Sequence, residues 1–455
     1  MPDYKAILSG QSWNALSGLK VAKTPVFLTY TFNGPRWNAS KFGSSDMSLA
    51  RKALKMWGDA SGIRFIEVKG EDAELKFQWQ WDYGDHSGWA EFPLLERDYF
   101  DEGLVRDDDG GNIYLNAHYR SELGSNKGFK LYVLLHEIGH ALGLKHPFHR
   151  MDYNKQLLKS ELDHVNHTVM SYTGADINMQ PLGLGALDIQ AIRALYGSPS
   201  KDGKQVAKWS WSKAAQTLTQ IGKSKADVIY GVAVKDVIKG GAGDDRIYSF
   251  DGDDTLLGGD GNDVLSGGDG DDALLGEAGN DTLSGSYGDD VLQGGAGSDL
   301  LSGGSRNDVL YGDDGNDSLK GGDGNDTLYG GLGSDVLTGN DGSDQFVFDT
   351  PFSGIDDVDQ IADFNQNPQE AWYDEYEQDK IILSSAIFST LAKGLLRDEA
   401  FVKGAAAQDS TDKILFDPAE QFLSYDPDGT GPLAAVRFAK LLGTVTLNAS
   451  DFLVV

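Results

Sequence analysis

Cysteine is absent from the 455-residue chain. No disulfide can staple it, and no thiolate can act as nucleophile, metal ligand or switch, so cysteine usage leaves the redox compartment open. Long apolar runs are missing too, since no stretch of the chain reaches the roughly 18 residues of a membrane span. Residues 1–20 lack a basic segment followed by an apolar run and do not read as a secretory leader. Positive charge is scarce: 39 basic against 70 acidic side chains give a formal charge of −31. Such a surface repels phosphate backbones and anionic headgroups, which disfavours nucleic-acid and membrane-surface binding and suits a cation-binding protein. Proline is sparse at 12, while glycine is abundant at 58 without the every-third-residue period of collagen. The length points to about two to three domains.

Histidine is confined to one part of the chain. All eight lie between His86 and His167. Residues 1–199 show strand-like patches near 26–32, 63–68, 74–80 and 112–119 and helical patterns near 45–58, 127–143 and 186–196, a mixed α/β content. A turn-rich stretch, Gly197–Gly203, reads as a boundary. From residue 222 a period of nine takes over. Asp recurs at 227 and 236, then at Asp245, Asp254, Asp263, Asp272, Asp281, Asp290, Asp299, Asp308, Asp317, Asp326, Asp335 and Asp344, with Ile, Leu or Phe two residues after each. Residues 222–347 hold 26 acidic and 7 basic side chains, so 7 − 26 = −19 of the net charge sits here.

Each unit, such as GGDGNDVLS at 258–266, combines a glycine turn with a very short strand that points one apolar side chain inward. Stacking such units builds a continuous Leu/Ile ladder and sets the Asp residues in rows that would repel one another without cations. Carboxylates and turn carbonyls are hard oxygen ligands suited to Ca²⁺. A flexible Gly/Asp linker has no reason to keep Asp and Leu in phase. The units at 222–230 and 231–239 keep Asp and Ile but lose the glycines, and Arg306 replaces a turn glycine, so weak or empty sites are expected there. Beyond 347, strand-like runs at 380–383, 414–416 and 434–438 suggest a β cap on the open end of the stack.

The second pattern is LYVLLHEIGHALGLKHP at 131–147. His136 and His140 are four apart in a helical pattern and share one face. Glu137 lies beside the first of them, within reach of a metal-bound water. Gly143 can end the helix in a left-handed turn and bring His146 round as a third ligand. Three histidines plus water make an open Zn²⁺ site of the catalytic type. HExxH alone is a modest signal; the extended HExxHxxGxxH followed by Met170, 24 residues past His146 in TVMSY, is the metzincin signature.

The nonapeptides resemble the repeats-in-toxin calcium-binding repeat, which implies a parallel β-roll with Ca²⁺ held between stacked turns by Asp side chains and backbone carbonyls. With His-Pro after the third histidine and Met-Ser-Tyr at the turn, the chain resembles the serralysins, secreted bacterial zinc endopeptidases with a calcium-binding C-terminal half. The fold class this implies is α+β: an N-terminal mixed α/β metzincin domain, then an all-β parallel roll with a strand cap. The corresponding divisions are a propeptide or N-terminal segment at 1–20, the peptidase domain at 21–199, a connecting segment at 200–221, the roll at 222–347 and the cap with a secretion signal at 348–455.

The resemblance also implies one catalytic Zn²⁺ and several structural Ca²⁺ ions, with the twelve aspartates from Asp245 to Asp344 as calcium ligands. It implies Tyr172 as a further zinc ligand that swings away to stabilise the transition state, and Gly143 and Met170 as structural residues. By the resemblance, Asp451–Val455 is an uncleaved signal for a one-step bacterial exporter; it also reads as a final strand. Protein and peptide substrates, a proteinaceous inhibitor, a monomeric state and an extracellular location follow from the same likeness. Substrate is expected to lie extended beside a strand at Gly111–Tyr119. Two departures stand out: a longer loop after Pro147, with His149 expected to face solvent, and an acidic insertion at 366–378. A calcium scaffold with a vestigial peptidase domain, and a narrow processing peptidase, remain as alternatives.

Overall fold

The structure is a computed structural model. It describes residues 5, 8, 27–33, 39–84, 86–92, 95–97, 104–106, 111–148, 156–175, 183–198, 206–351, 358–365 and 378–455. His149, residues 366–377 and all of residues 1–20 but 5 and 8 lie outside that set.

The N-terminal part is built on a six-stranded sheet. Its strands are β1 (Phe27–Thr31), β2 (Ala39–Ser40), β3 (Arg64–Glu67), β4 (Leu75–Gln80), β5 (Gly88–Ala90) and, after a separate antiparallel pair β6 (Leu95–Arg97) and β7 (Leu104–Arg106), β8 (Asn112–Asn116). The order is β3-β1-β4-β8-β5; β5 is antiparallel to β8, and the pairings among β3, β1, β4 and β8 are parallel. Helices α1 (Ser44–Ala60), α2 (Arg120–Ser125), α3 (Lys127–Ala141) and α4 (Ala186–Tyr196) complete it. All five residues of β1 are buried, because both its faces are covered. Leu28 and Tyr30 share a core with α1 and α3, whereas Phe27 packs the other way, against Leu218 and Val232 of the C-terminal part.

α1 and α3 are tied by polar contacts inside the apolar layer. Trp57 Nε1 donates to Leu135 O at 3.2 Å. Asp46 takes Lys130 Nζ at 2.6 Å, Trp79 Nε1 at 3.0 Å and Gly43 N at 3.1 Å. Burial alone would raise the Asp46 carboxyl, but the hydrogen bonds from Lys130 and Trp79 and the lysine charge outweigh it and hold it below the usual carboxylate range.

The C-terminal part is a parallel β-roll. Alternate nonapeptides feed two sheets, each twelve-stranded among the described residues, and strands 18 residues apart pair in register, as Leu256 does with Leu274. The inward residue of every unit, from Ile229 through Leu256 to Phe346, is at most 1% exposed. Removing one, as in Leu→Ala, is worth about 2–5 kcal/mol. The roll can close so tightly because its turns are glycine: at Gly259, φ is +119° and a Cβ would sit 1.9 Å from Gly241 O. Within the ladder, each Asp N–H donates to the Oδ1 of the Asp 18 residues on, as Asp254 to Asp272 at 2.7 Å.

The expected connecting segment at 200–221 contains two strands, β9 (Lys208–Ser212) and β10 (Thr217–Ile221); β10 pairs parallel with the roll strand Asp236–Ala242 and antiparallel with β9, which forms the edge of that sheet. KWSWS and TLTQI alternate with a period of two, a pattern overshadowed by the turn signal just before them. At the other end, strands at Lys380–Leu383, Val436–Leu441 and Phe452–Val454 continue the two sheets rather than lying across them, and the antiparallel pair Ile414–Asp417 and Phe422–Tyr425 stands near one edge.

Because Lys130 is 5% exposed, Asp46→Asn leaves a buried ammonium without its counter-charge. The expected cost is about 3 kcal/mol in urea denaturation at pH 7. A carboxyl with a depressed folded-state pKa stabilises above its unfolded value and ceases to as pH falls through the folded one, so the gap between variant and wild type should close below about pH 4.

Candidate metal centre and cleft

α3 starts where the Asn126 side chain accepts the N–H groups of Gly128 and Phe129, at 2.8 and 3.0 Å. It is buried almost all round, so His136 and His140 are carried inside the protein, 2% and 7% exposed. The helix stops at Ala141. Gly143, with φ +93°, lets Gly143 N reach His140 O at 2.8 Å and Leu144 N reach Gly139 O at 2.8 Å. The chain thereby doubles back, and His146 faces the two helical imidazoles.

The three Nε2 atoms meet. His146 Nε2 is 3.0 Å from that of His136 and 3.0 Å from that of His140. Among the described residues these three are the one set of metal-ligating side chains whose ligand atoms all lie within 4.8 Å. His136 Nδ1 donates to Val169 O at 2.6 Å and His140 Nδ1 to Leu144 O at 2.7 Å. With the proton held at Nδ1, each neutral ring turns a lone pair into the shared space. Burial, and then the neighbouring His140 and His146, push His136 well below its ordinary pKa, which keeps it neutral. Three imidazole nitrogens converging in this way fit a Zn²⁺ ion.

Around this centre the structure brings Glu137, Met170 and Tyr172. Glu137 is 5% exposed on the cleft wall, and burial raises its carboxyl to about 8. Tyr172 Oη is 2.7 Å from His146 Nε2, on a half-exposed side chain. Met170 is fully buried beneath α3, where a Cβ on Gly139 would come 2.5 Å from its Sδ.

Sequence reading missed the brace that holds this turn. Asp188, fully buried at the start of α4, accepts Thr168 Oγ1 at 2.5 Å, Val169 N at 2.9 Å and Gly185 N at 2.7 Å. Its signal was an acidic residue in a helix's first turn, three residues after the glycine that starts it. Lys145 was also missed: it is 1% exposed and donates to Gln156 O at 2.9 Å, so it straps the loop carrying His146.

A cleft of about 860 Å³ runs past the centre, lined by Gly88, Trp89, Ala90, Phe92, Glu137 and Tyr172 among others. The strand expected to receive substrate, at 111–119, lies inside the sheet between β4 and β5. The edge is β5, whose three residues are too short to register as a periodic pattern.

In the roll, the Asp carboxylates are buried with one oxygen lacking a donor: Oδ2 of Asp245, Asp254, Asp263, Asp272, Asp281, Asp290, Asp299, Asp308, Asp317, Asp326 and Asp344. Burial pushes Asp272 up to about 8 and Asp308 to about 9, against the opposing backbone hydrogen bond and with smaller contributions from neighbouring carboxylates. Buried anions without donors fit Ca²⁺ between the turns. A second column, one residue earlier, was not anticipated. Asn280 N donates to Asn262 Oδ1 at 2.7 Å and Ser298 N to Asn280 Oδ1 at 2.8 Å, which accounts for Asn and Asp at that position.

Comparison with known proteins agrees with both halves. The Matrixin family matches residues 23–197, and the RTX calcium-binding nonapeptide repeat matches six overlapping windows between 221 and 346. Serralysin of Proteus mirabilis is 30% identical over 219 residues, covering 41% of this chain and 42% of that protein. Serralysin A of Dickeya chrysanthemi is 30% identical over 167 residues, 35% and 34% of the two chains. Macrophage metalloelastase of Rattus norvegicus is 24% identical over 160 residues, 33% and 29%. The match thus spans less than half the length of these curated relatives. The chain joins a Matrixin domain to RTX calcium-binding repeats and is similar to the serralysins, with zinc belonging to the first part and calcium to the second.

Asp188→Ala would leave the Thr168 hydroxyl and two backbone N–H groups buried without an acceptor beside Val169, the partner of His136. Loss of about 3 kcal/mol of stability is expected, with zinc affinity about tenfold weaker by chelator competition.

Proposed function

We propose that the chain is a secreted zinc endopeptidase that cleaves proteins at internal peptide bonds and is stabilised by calcium bound in its roll. The observation that carries this reading is the meeting of three imidazoles, two of them held by carbonyls at Nδ1, beside the buried carboxyl group of Glu137 in an open cleft.

In this reading His136, His140 and His146 hold the Zn²⁺, with Tyr172 as a fourth protein ligand of the resting enzyme. When bound there, zinc supplies a more acidic water and polarises the scissile carbonyl. The substrate backbone adds as a strand to β5, extended through the cleft. Glu137 stands on the cleft wall beside the imidazoles. As general base it takes a proton from the attacking water and passes it to the amine that leaves. Tyr172 is half-exposed and has room to turn; its hydroxyl donates to the oxyanion that develops on the former carbonyl. Met170 and Asp188 act through the histidines, the first as the floor under α3 and the second as the clamp on the turn.

The calcium ligands in this reading are the twelve aspartates from Asp245 to Asp344, each with turn carbonyls of its neighbours. A roll that folds only with calcium suits export as an unfolded chain into a calcium-rich exterior. Phe452 and Val454 are buried in a sheet strand of the folded protein, so an exporter would read Asp451–Val455 before folding.

Casein hydrolysis at saturating calcium tests the reading. Glu137→Ala should retain zinc by metal analysis and lose about a thousandfold in kcat; turnover near that of the wild type would overturn the role of Glu137. Tyr172→Phe should lose about a hundredfold in kcat with KM little changed. Activity that persists in 1,10-phenanthroline would overturn the zinc peptidase itself.

A further inference from the structure

The first two nonapeptides, 222–230 and 231–239, lack the glycines of the later units, yet each contributes a strand to the roll, Val228–Tyr230 and Asp236–Ala242. The difference lies in one oxygen. From Asp245 onward the Asp Oδ2 is buried with no donor, as at Asp245, Asp254 and Asp263. In the first two units the same oxygen is filled from the chain itself. Lys223 N donates to Asp227 Oδ2 at 2.5 Å, and Val232 N to Asp236 Oδ2 at 2.7 Å. These turns close on an amide where the later ones leave room for a cation.

The second turn is also occupied elsewhere. Its sequence is Gly231-Val-Ala-Val-Lys-Asp236 in place of a glycine turn. Val232 is fully buried in a small core with Phe27, Ile66 and Val68 of the peptidase domain and Leu218 of β10, and the neighbouring Ala233 is 3% exposed. Glu74, 3% exposed at the foot of β4, faces this turn. One of its oxygens takes Thr29 N at 2.5 Å and the Thr29 hydroxyl, and the other takes Ala233 N at 3.1 Å. A carboxylate of the peptidase domain thus holds an amide of the repeat turn. Nearby, Trp209 packs edge-on against Phe27 at 5.0 Å, and Lys69 N donates to Gln216 Oε1 at 2.9 Å.

We propose that the first two units are a metal-independent cap, docked on the peptidase domain through Val232 and Glu74, on which the calcium-dependent roll is templated. A stacked array has an exposed first face, and its end units need a partner other than another repeat. Here the partner is the peptidase sheet. Apolar turn residues replace the glycines because the turn is a plug, and the closing amides replace the cation because no earlier repeat turn stands before these units to share one. Calcium removal then unfolds the chain from about unit 240–248 onward and stops at the cap. The cap in turn lowers the calcium needed to lay down the first loaded turns, since their docking surface is already in place. None of this depends on catalysis.

Hydrogen exchange of the full chain, with calcium and after a calcium-selective chelator, tests it. Peptides covering 217–239 should stay protected in both conditions while those covering 255–332 lose protection on chelation. Glu74→Leu, and separately Val232→Gly with Val234→Gly, should each let 217–239 exchange without calcium. Each should also raise the calcium midpoint of the circular dichroism transition about twofold, with zinc content unchanged. The glycine pair carries the test should Glu74→Leu fail to fold. Loss of protection at 217–239 together with the repeats in the wild type overturns the proposal, as does an unshifted calcium midpoint in the variants.

Discussion

Converging groups that bear lone pairs or negative charge set the terms for both halves of this protein. In the peptidase domain they are three imidazole nitrogens, with His146 Nε2 3.0 Å from each of the other two. In the roll they are carboxylate oxygens repeated down the stack. Neither arrangement is stable in isolation, because lone pairs and anions taken out of water need a cation or a donor. The protein spends its ordinary hydrogen bonds on fixing the rest of these groups: carbonyls hold Nδ1 of His136 and His140, and backbone amides hold the Asp Oδ1 atoms. What is left over in each case is a space of defined chemistry.

The two spaces differ as their occupants do. The histidine centre rests on a buried helix, a left-handed turn and the Met170 floor, all formed by protein contacts alone. The repeat turns have little beneath them but one Leu or Ile each. The zinc centre is therefore held by a core, whereas the calcium sites are themselves much of what holds the roll. The first two units, closed by amides, stand between these regimes.

Most of this could be read from the chain because its chemistry is periodic or tightly spaced. The Asp and Leu registers fix strand pairing 18 residues apart, and HExxHxxGxxH fixes three side chains relative to one helix and one glycine. The helices at 44–60, 127–141 and 186–196 followed from apolar spacing within a few residues of their ends. What escaped were contacts between segments remote in sequence. Asp188 acts on residues twenty positions earlier, Glu74 on a turn 159 residues later, and no local pattern announces either. β5 escaped because three residues carry too little period to see, and its place at the sheet edge is a fact of topology. The strands at 208–221 escaped because a boundary signal beside them was given more weight than their own alternation.

The Asp column has a direction. Each rung is a backbone amide donating to a carboxylate 18 residues further along, and the last rungs are completed outside the repeats, by Asp359 for Asp335 and by Asp379 for Asp344. A rung is therefore always finished by a later part of the chain. If the polypeptide is delivered with its N-terminal end leading, every amide of this column must wait for its acceptor to arrive. If it is delivered with its C-terminal end leading, the acceptor is present before the amide that needs it, and the stack can close rung by rung as chain becomes available. The geometry of one hydrogen bond thus makes the order of delivery a variable in how this protein assembles.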